Sequence, residues 1–380
     1  MALTDPNEAR LLVKKALAQP AKILFGAERA IFRTYLALFT PLLRDSKKRK
    51  GWSCAHTIVK DLPGTGKTAL FNYVSDSLSA KLGRVDGRPD LLPIDFTGKE
   101  DRDKFTGIRT MLFGPLFSHI LFADEINRTP PKSQAPFLGA MEGGHVILNK
   151  TDEKRGVIEP VAFPLYPVPN DTQGRNFFIV FATMNPIEFE GTYPLSEAQM
   201  ERFTYDFGMG APTREQEMMI RFENVMHQEI EIVMDLGQVL DIQDMVKKIR
   251  LSPQADELIM RHIENSWPPS KDKYRFGESR KRHTTTDLVK FTEEYVISGL
   301  SRRRNYHMQM AALTHRLMRL FLDEDKEIIS LDNIVAEVDD VKAIAPLTME
   351  HVILLHPKAA NEYITTEDVV QRIVSETALP

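Results

Sequence analysis

Asp61-Leu-Pro63-Gly64-Thr65-Gly66-Lys67-Thr68 follows the apolar Thr57-Ile58-Val59 and precedes a helical run that the spacing extends from Ala69 to Leu82. The order is strand, loop, helix. In a phosphate-binding loop, glycines let backbone N–H groups turn toward a polyphosphate, a lysine bridges the β- and γ-phosphates, and a Ser or Thr hydroxyl ligates Mg²⁺. Gly64, Gly66, Lys67 and Thr68 supply those groups, and the positive end of the following helix favours the same anion. Asp61 stands where the pattern G-x-x-x-x-G-K-[ST] has its first glycine. Asp tolerates left-handed backbone better than most residues, but its carboxylate repels a triphosphate, so a tuned or weakened site is expected. The alternative for the loop is a plain Gly-Pro turn.

The chain has 380 residues, beyond the usual size of a single core, so two domains are expected. With 42% hydrophobic and 27% charged residues it reads as an ordinary globular protein. A net charge of −4 and a pI near 6.2 give no global basic field, which argues against nucleic acid as an obligatory partner. The lone cysteine, Cys54, excludes an intramolecular disulfide and a cysteine-rich zinc site. The apolar runs Tyr35–Leu43 and Phe177–Ala182 are too short to span a bilayer, so no membrane is expected and the cytoplasm is the expected compartment.

In chain order, residues 8–18 and 27–43 carry helical spacing. Between them Ile23-Leu-Phe-Gly26 suits either a wall for a purine base or core packing. The basic run Arg44–Lys50 reads as a solvated loop or as a small nucleic-acid patch. Turn residues crowd Arg88–Gly98, and a charged segment through Lys104 then leads to Met111-Leu-Phe113; a projecting loop or hairpin is expected. Ser118-His-Ile-Leu-Phe-Ala-Asp124-Glu125 is a short apolar strand ending in two adjacent carboxylates. Parallel strands buried on both faces read this way, with ligands at their carboxyl ends. Asp124 is placed to hold a Mg²⁺ shell and Glu125 to orient and polarise an attacking water.

A helix near Lys132–Met141, a hairpin through Val146–Leu148 and Ile158–Phe163, and a buried strand Asn176–Thr183 follow. Asn185 at that strand end is either a γ-phosphate or water ligand or a turn residue before Pro186. A loop and a short helix end at Arg202. From about residue 211 the texture is helical, with starts marked at Thr213, Ser252, Ser330 and Thr366 and an exposed loop at Trp267–His283. Ser301-Arg302-Arg303-Arg304 opens the longest helical pattern. Three arginines there oppose the helix dipole unless an anion or acidic neighbour answers them.

Taken in order, Gly64-Thr-Gly-Lys-Thr68, Asp90-Leu-Leu-Pro93 with Thr97-Gly98, Gly114-Pro-Leu-Phe117, Ala123-Asp-Glu-Ile-Asn-Arg128, Ala182-Thr-Met-Asn-Pro186 and Glu190–Gln199 resemble the MoxR family of AAA+ ATPases. The likeness is close over about 20–210 and loose beyond. It implies an α/β P-loop core with a parallel sheet flanked by helices over 1–210, and an all-α lid over 211–380. It further implies a homo-oligomeric ring, usually a hexamer, with ATP and Mg²⁺ between neighbours.

By analogy Pro63, Gly64, Thr65, Gly66, Lys67, Thr68 and Ala69 cradle the nucleotide, Thr68 and Asp124 serve the metal, and Glu125 and Asn185 are catalytic. Arg202 would be the arginine finger that reaches the neighbour's γ-phosphate, against the reading of a surface arginine at a helix end. Arg303 would be the lid arginine, with Arg302 or Arg304 as alternatives, because Arg302 replaces a usual Pro. Met184 also departs from the family pattern, and the segments before the loop and at 149–175 run long.

The function implied is an ATP-driven chaperone-like machine acting on a client protein, with a separate von Willebrand A-type partner. The alternatives are a nucleic-acid motor, suggested by basic runs at 44–50 and 279–283, and a nucleotide-gated scaffold slowed by Asp61. ATP and GTP both remain open as the nucleotide.

Overall fold

The computed structural model describes residues 3–46, 49–60, 64–152, 155, 157–165, 168–169, 174–184, 192–210, 212–222, 230–276, 282–323 and 327–380, without the side chains of 43–46, 49–53, 219–222, 273–274 and 323. The chain divides into two units, 1–202 with 207–242, and 203–206 with 243–380. The first half of the chain runs α1 Pro6–Ala21, α2 Glu28–Phe39, β1 Pro41–Ser46, β2 Arg49–Cys54, β3 Thr57–Lys60, α3 Lys67–Ser77, β4 Leu82–Asp86, α4 Pro93–Thr97, β5 Gly98–Arg102, β6 Arg109–Phe113 and β7 Ile120–Asp124. It continues with α5 Pro131–Gly143, β8 His145–Asp152, β9 Val157–Pro164, β10 Ile179–Met184, α6 Glu197–Met200, β11 Tyr205–Phe207 and α7 Arg214–Phe222. The units divide within α8, Leu236–Val246.

The central sheet has the order β11-β3-β10-β7-β4. Numbered by position in the chain, its strands run 5-1-4-3-2. The pairs β3/β10, β10/β7 and β7/β4 are parallel, with Ala182 opposite both Ile58 and Ala123. Parallel strands covered on both faces must be apolar throughout. Residues 120–123 and 179–183 are accordingly all buried. Phe71 of α3 stacks on Phe181 at 4.6 Å and meets Phe122 at 5.0 Å, which fixes the helix after the phosphate loop against the two middle strands.

Three expectations are corrected in this unit. The helix expected over 27–43 stops at Phe39, because Pro41 brings no N–H to the helical ladder and opens β1 instead. The described part of the basic run 44–50 belongs to the hairpin β1/β2, in register from Pro41 with Cys54 to Ser46 with Arg49, rather than to a loop. The helical run to Leu82 ends at Ser77, and Leu82–Asp86 is a sheet strand. Two hairpins, β5/β6 and β8/β9, stand in the expected places.

The second unit holds β12 Arg250–Leu251, α9 Pro253–Asn265, α10 Asp272–Phe276, α11 Thr286–Tyr295, β13 Val296–Ser298, α12 Arg302–Asp323, β14 Val335–Ala336, α13 Val338–Met349, β15 Leu354–Leu355, α14 Pro357–Asn361 and α15 Thr366–Glu376. Two short strand pairs, β12/β14 and β13/β15, punctuate the helices. Ser252 caps α9 through Ala255 N–H as expected, whereas α15 is capped by Thr365, and Ser330 bonds Asp332 N–H in a turn rather than starting a helix. The stretch 267–283 is not all exposed loop: Asp272 is buried beneath an ion pair with Arg282. The basic run 279–283 lies largely outside the described residues. Among the described residues no helix is long and apolar enough to cross a membrane.

His262 on α9 is fully buried, and neither ring nitrogen meets a hydrogen-bond partner among the described residues. Burial, with a lesser push from Lys342, lowers its pKa from 6.5 to about 4. Between those values the unfolded chain holds a proton that the folded chain refuses, so stability falls as pH falls through this window, by about 3 kcal/mol in full. His262→Leu is therefore expected to flatten the pH dependence of urea unfolding between pH 7 and pH 4.5. An unchanged slope in that variant would assign the acid sensitivity elsewhere.

Candidate nucleotide site

The carboxyl ends of β3, β7 and β10 lie side by side, and this edge of a parallel sheet is where ligands bind. Asp61 and Pro63 lie outside the described residues, as does Asn185. Gly64 and Gly66 adopt φ of +82° and +88°, a left-handed backbone that favours glycine at both positions. A Cβ at Gly64 would meet nothing within 4 Å, so backbone conformation rather than space demands glycine there. Lys67 and Thr68 then open α3, with Ala69 in its first turn. The helix end therefore carries the two candidate side chains, Lys67 and Thr68, and the N–H groups that its own ladder leaves unbonded.

Asp124 ends β7, and Glu125 follows it with φ +48° and ψ +48°. This is left-handed backbone on a non-glycine residue, a cost of about 1–3 kcal/mol that needs neighbours to hold it. Thr183, the last buried residue of β10, supplies the hold. Its hydroxyl donates to Asp124 Oδ1 at 2.6 Å and accepts the Glu125 N–H at 2.8 Å. Gly87 contributes from the other side: its N–H donates to Asp124 O at 2.7 Å, and a Cβ on it would lie 2.0 Å from Glu125 O.

Two arginines face the carboxylates. Arg84 lies over the Phe122 ring and pairs with Asp86 at 2.7 Å and with Asp124 Oδ2 at 3.5 Å. Arg128 reaches Glu125 Oε2 at 3.1 Å. Both carboxylates thus project where cations gather, with Asp124 24% exposed and Glu125 31% exposed. Asp124, held at Oδ1 by Thr183 and met at Oδ2 by Arg84 at 3.5 Å, and the hydroxyl of Thr68 are oxygen donors of the kind that would suit Mg²⁺, which takes few protein oxygens and keeps water and phosphate in its other positions. Among the described residues no cluster of three or more His, Cys, Asp or Glu side chains forms a separate metal site.

Arg202 follows α6, and its guanidinium meets Glu142 at 2.8 Å and Ala198 O at 3.0 Å. Gln199 on the same helix donates to Gln134, which donates to Thr129 O at 2.8 Å, so α6 is tied to the turn after Glu125. Of the three clustered arginines, Arg302 and Arg303 are exposed, whereas Arg304 is wholly buried and donates to the carbonyls of Phe203 and Thr204. Arg304 is therefore withdrawn as an alternative lid arginine.

Sequence reasoning passed over Thr183, Gly87 and Arg84. The signal for Thr183 was a hydroxyl closing an otherwise apolar strand. Its effect is separable from size: Thr183→Val orphans the Glu125 N–H and should cost about 1–3 kcal/mol in urea unfolding, while Thr183→Ser should stay close to the parent. Equal losses in both variants would assign the cost to packing.

The family model described as ATPase family associated with various cellular activities (AAA) matches residues 56–161 and 168–205. Protein YeaC of Bacillus subtilis is 30% identical over 332 residues, covering 86% of this chain and 85% of its own. Chaperone MoxR1 of Mycobacterium tuberculosis is 25% identical over 373 residues, covering 97% of this chain and 82% of its own. A solved structure of a candidate ATPase from Cytophaga hutchinsonii superposes with a TM-score of 0.73 at 23% identity, covering 98% of this chain and 96% of that one, which speaks for the fold. The ordered motifs on the edge of a 5-1-4-3-2 sheet and these relatives agree: the chain belongs to the MoxR-type AAA+ ATPases.

Proposed function

We propose that this protein hydrolyses ATP in a ring of its own copies, a hexamer by analogy with its family, and uses the turnover to remodel or activate a client protein. The observation that carries the reading is the Asp124–Thr183–Glu125 arrangement. It gives two adjacent carboxylates different orientations at the sheet edge beside a glycine loop and a helix start. In this reading Pro63 to Ala69 hold the phosphates, with Lys67 as the cation and Thr68 and Asp124 as the oxygen donors for Mg²⁺. Bound Mg²⁺ would neutralise charge on the phosphate oxygens.

Glu125 accepts a proton from the attacking water and orients it, and Asn185 is assigned to the same water or to the γ-phosphate. Arg303 is assigned to the nucleotide from the helical unit and Arg202 to the neighbouring subunit's γ-phosphate. The cis pairing of Arg202 with Glu142, whose side chains are 22% and 38% exposed and so partly screened by solvent, is compatible with an arginine that changes partner when a neighbour arrives. A von Willebrand A-type protein as partner is inferred from family habit, and the printed name of the mycobacterial relative supports the chaperone class.

Lys67→Ala is expected to abolish ATP binding in a titration. Glu125→Gln should keep ATP binding and lose turnover on the order of 10²-fold or more, the worth of a positioned general base. Normal turnover by Glu125→Gln would remove that residue from the mechanism. Hydrolysis per subunit should rise with protein concentration as mass measurements detect rings, because an arginine from the next subunit is worth on the order of 10³ in rate. A concentration-independent rate would contradict shared sites.

A further inference from the structure

The four residues Phe203–Asp206 cluster with the helical unit rather than with the chain that precedes them, and all four are buried. The first two, Phe203 and Thr204, are met by a set of charged and imidazole side chains on α12 and just beyond α13. Arg304, with none of its surface exposed, donates from Nη1 to Phe203 O at 2.9 Å and to Thr204 O at 3.2 Å. His351 Nε2 lies 3.0 Å from the same Phe203 oxygen and 3.4 Å from Arg304 Nη1. His307 Nδ1 lies 3.3 Å from the Thr204 hydroxyl. Neither carbonyl is held by sheet or helix pairing alone; a buried guanidinium grips the backbone.

Position in the sequence gives this grip its meaning. Phe203 is the residue after Arg202, and Arg304 is the residue after Arg303. We propose that Arg304, supported by His351, is a positioning residue: by fixing the carbonyls of Phe203 and Thr204 it fixes the backbone to which Arg202, the arginine offered to the neighbouring subunit, is directly joined. The inference rests on the reading of Arg202 as a finger acting in trans.

The grip works on the backbone, not on the guanidinium of Arg202, whose own partners are Glu142 and Ala198 O. Loss of Arg304 should therefore leave nucleotide binding by the same subunit intact and displace its finger. A displacement of about 1 Å is enough to cost on the order of 10²-fold in rate. Because the finger serves the next subunit, the defect should appear in trans.

The test is subunit mixing in the full-length protein, with ADP affinity, ring mass and thermal melting measured for each variant alone. Arg304→Met, which keeps length and burial, is expected to bind ADP like the parent, form rings and turn over about 10²-fold more slowly; Arg304→Lys should recover part of the rate. Mixed with Glu125→Gln subunits, Arg304→Met subunits should regain activity, since their intact Glu125 is then served by a well-placed Arg202. Mixed with Arg202→Ala subunits they should stay inactive, both partners being defective in trans.

His351→Leu leaves Arg304 in place and should give a milder copy of the same pattern, which carries the test where Arg304→Met fails to assemble. Parental turnover by Arg304→Met and His351→Leu, or recovery of either on mixing with Arg202→Ala, overturns the proposal. So does failure to recover with Glu125→Gln where Arg202→Ala subunits do recover with it. If Arg202→Ala and Glu125→Gln do not complement each other, the finger reading itself fails and the role of Arg304 falls with it.

Discussion

Asp124 and Glu125 are adjacent in the chain, and the hydroxyl of Thr183 is what lets them do different things. Successive side chains on a strand point to opposite faces, so two neighbouring carboxylates cannot both face one site while the backbone stays extended. The chain breaks out of the strand at Glu125 into left-handed backbone, and an N–H freed by that break would be buried and costly. Thr183 takes it, and with the same oxygen donates to Asp124. Gly87 leaves room for the displaced Glu125 carbonyl. The arrangement needs β4, β7 and β10 in one register, because each strand end supplies one part of it.

This dependence explains which parts of the protein could be read from its sequence. The loop at 64–68 and the carboxylates at 124–125 are local patterns, written in consecutive residues with a mechanism of their own. The apolar runs before Asp124 and Thr183 announce buried parallel strands because no polar residue interrupts them. β4 was lost for the opposite reason: exposed Arg84 and Asp86 alternate with buried Gly83 and Val85 at a sheet edge, and the stretch after a helix looks like its frayed end.

The 44–50 part of the hairpin β1/β2 was read as a loop because charge dominates that run, and charge reports solvent, not backbone. Thr183 and Gly87 acquire their roles only from neighbours far away in sequence. Arg304 misled in the same way. Among three consecutive arginines only tertiary structure distinguishes the one that turns inward, where carbonyls of Phe203 and Thr204 answer its charge in place of the anion that its helix start seemed to demand.

The contrast between the two ends of residue 202 has a physical sense. In the role proposed for Arg202, an arginine that leaves its own subunit cannot be bound tightly there, and a solvent-screened pair with a partly exposed glutamate is worth about 1 kcal/mol. Yet a long side chain on a loose backbone would lose too much conformational freedom on reaching a neighbour to contribute much when it arrived. In the proposed role the two requirements fall on different contacts. Gln199 and Gln134 tie the preceding helix to the turn after Glu125, and the buried Arg304 and His351 hold the carbonyls that follow. Backbone contacts are thus made on either side of residue 202 in sequence, while its guanidinium pairs with a partly exposed glutamate. A ring built from such subunits would place its trans-acting charges by rigid backbone and release them by weak electrostatics, so that assembly rather than affinity decides when each site is complete.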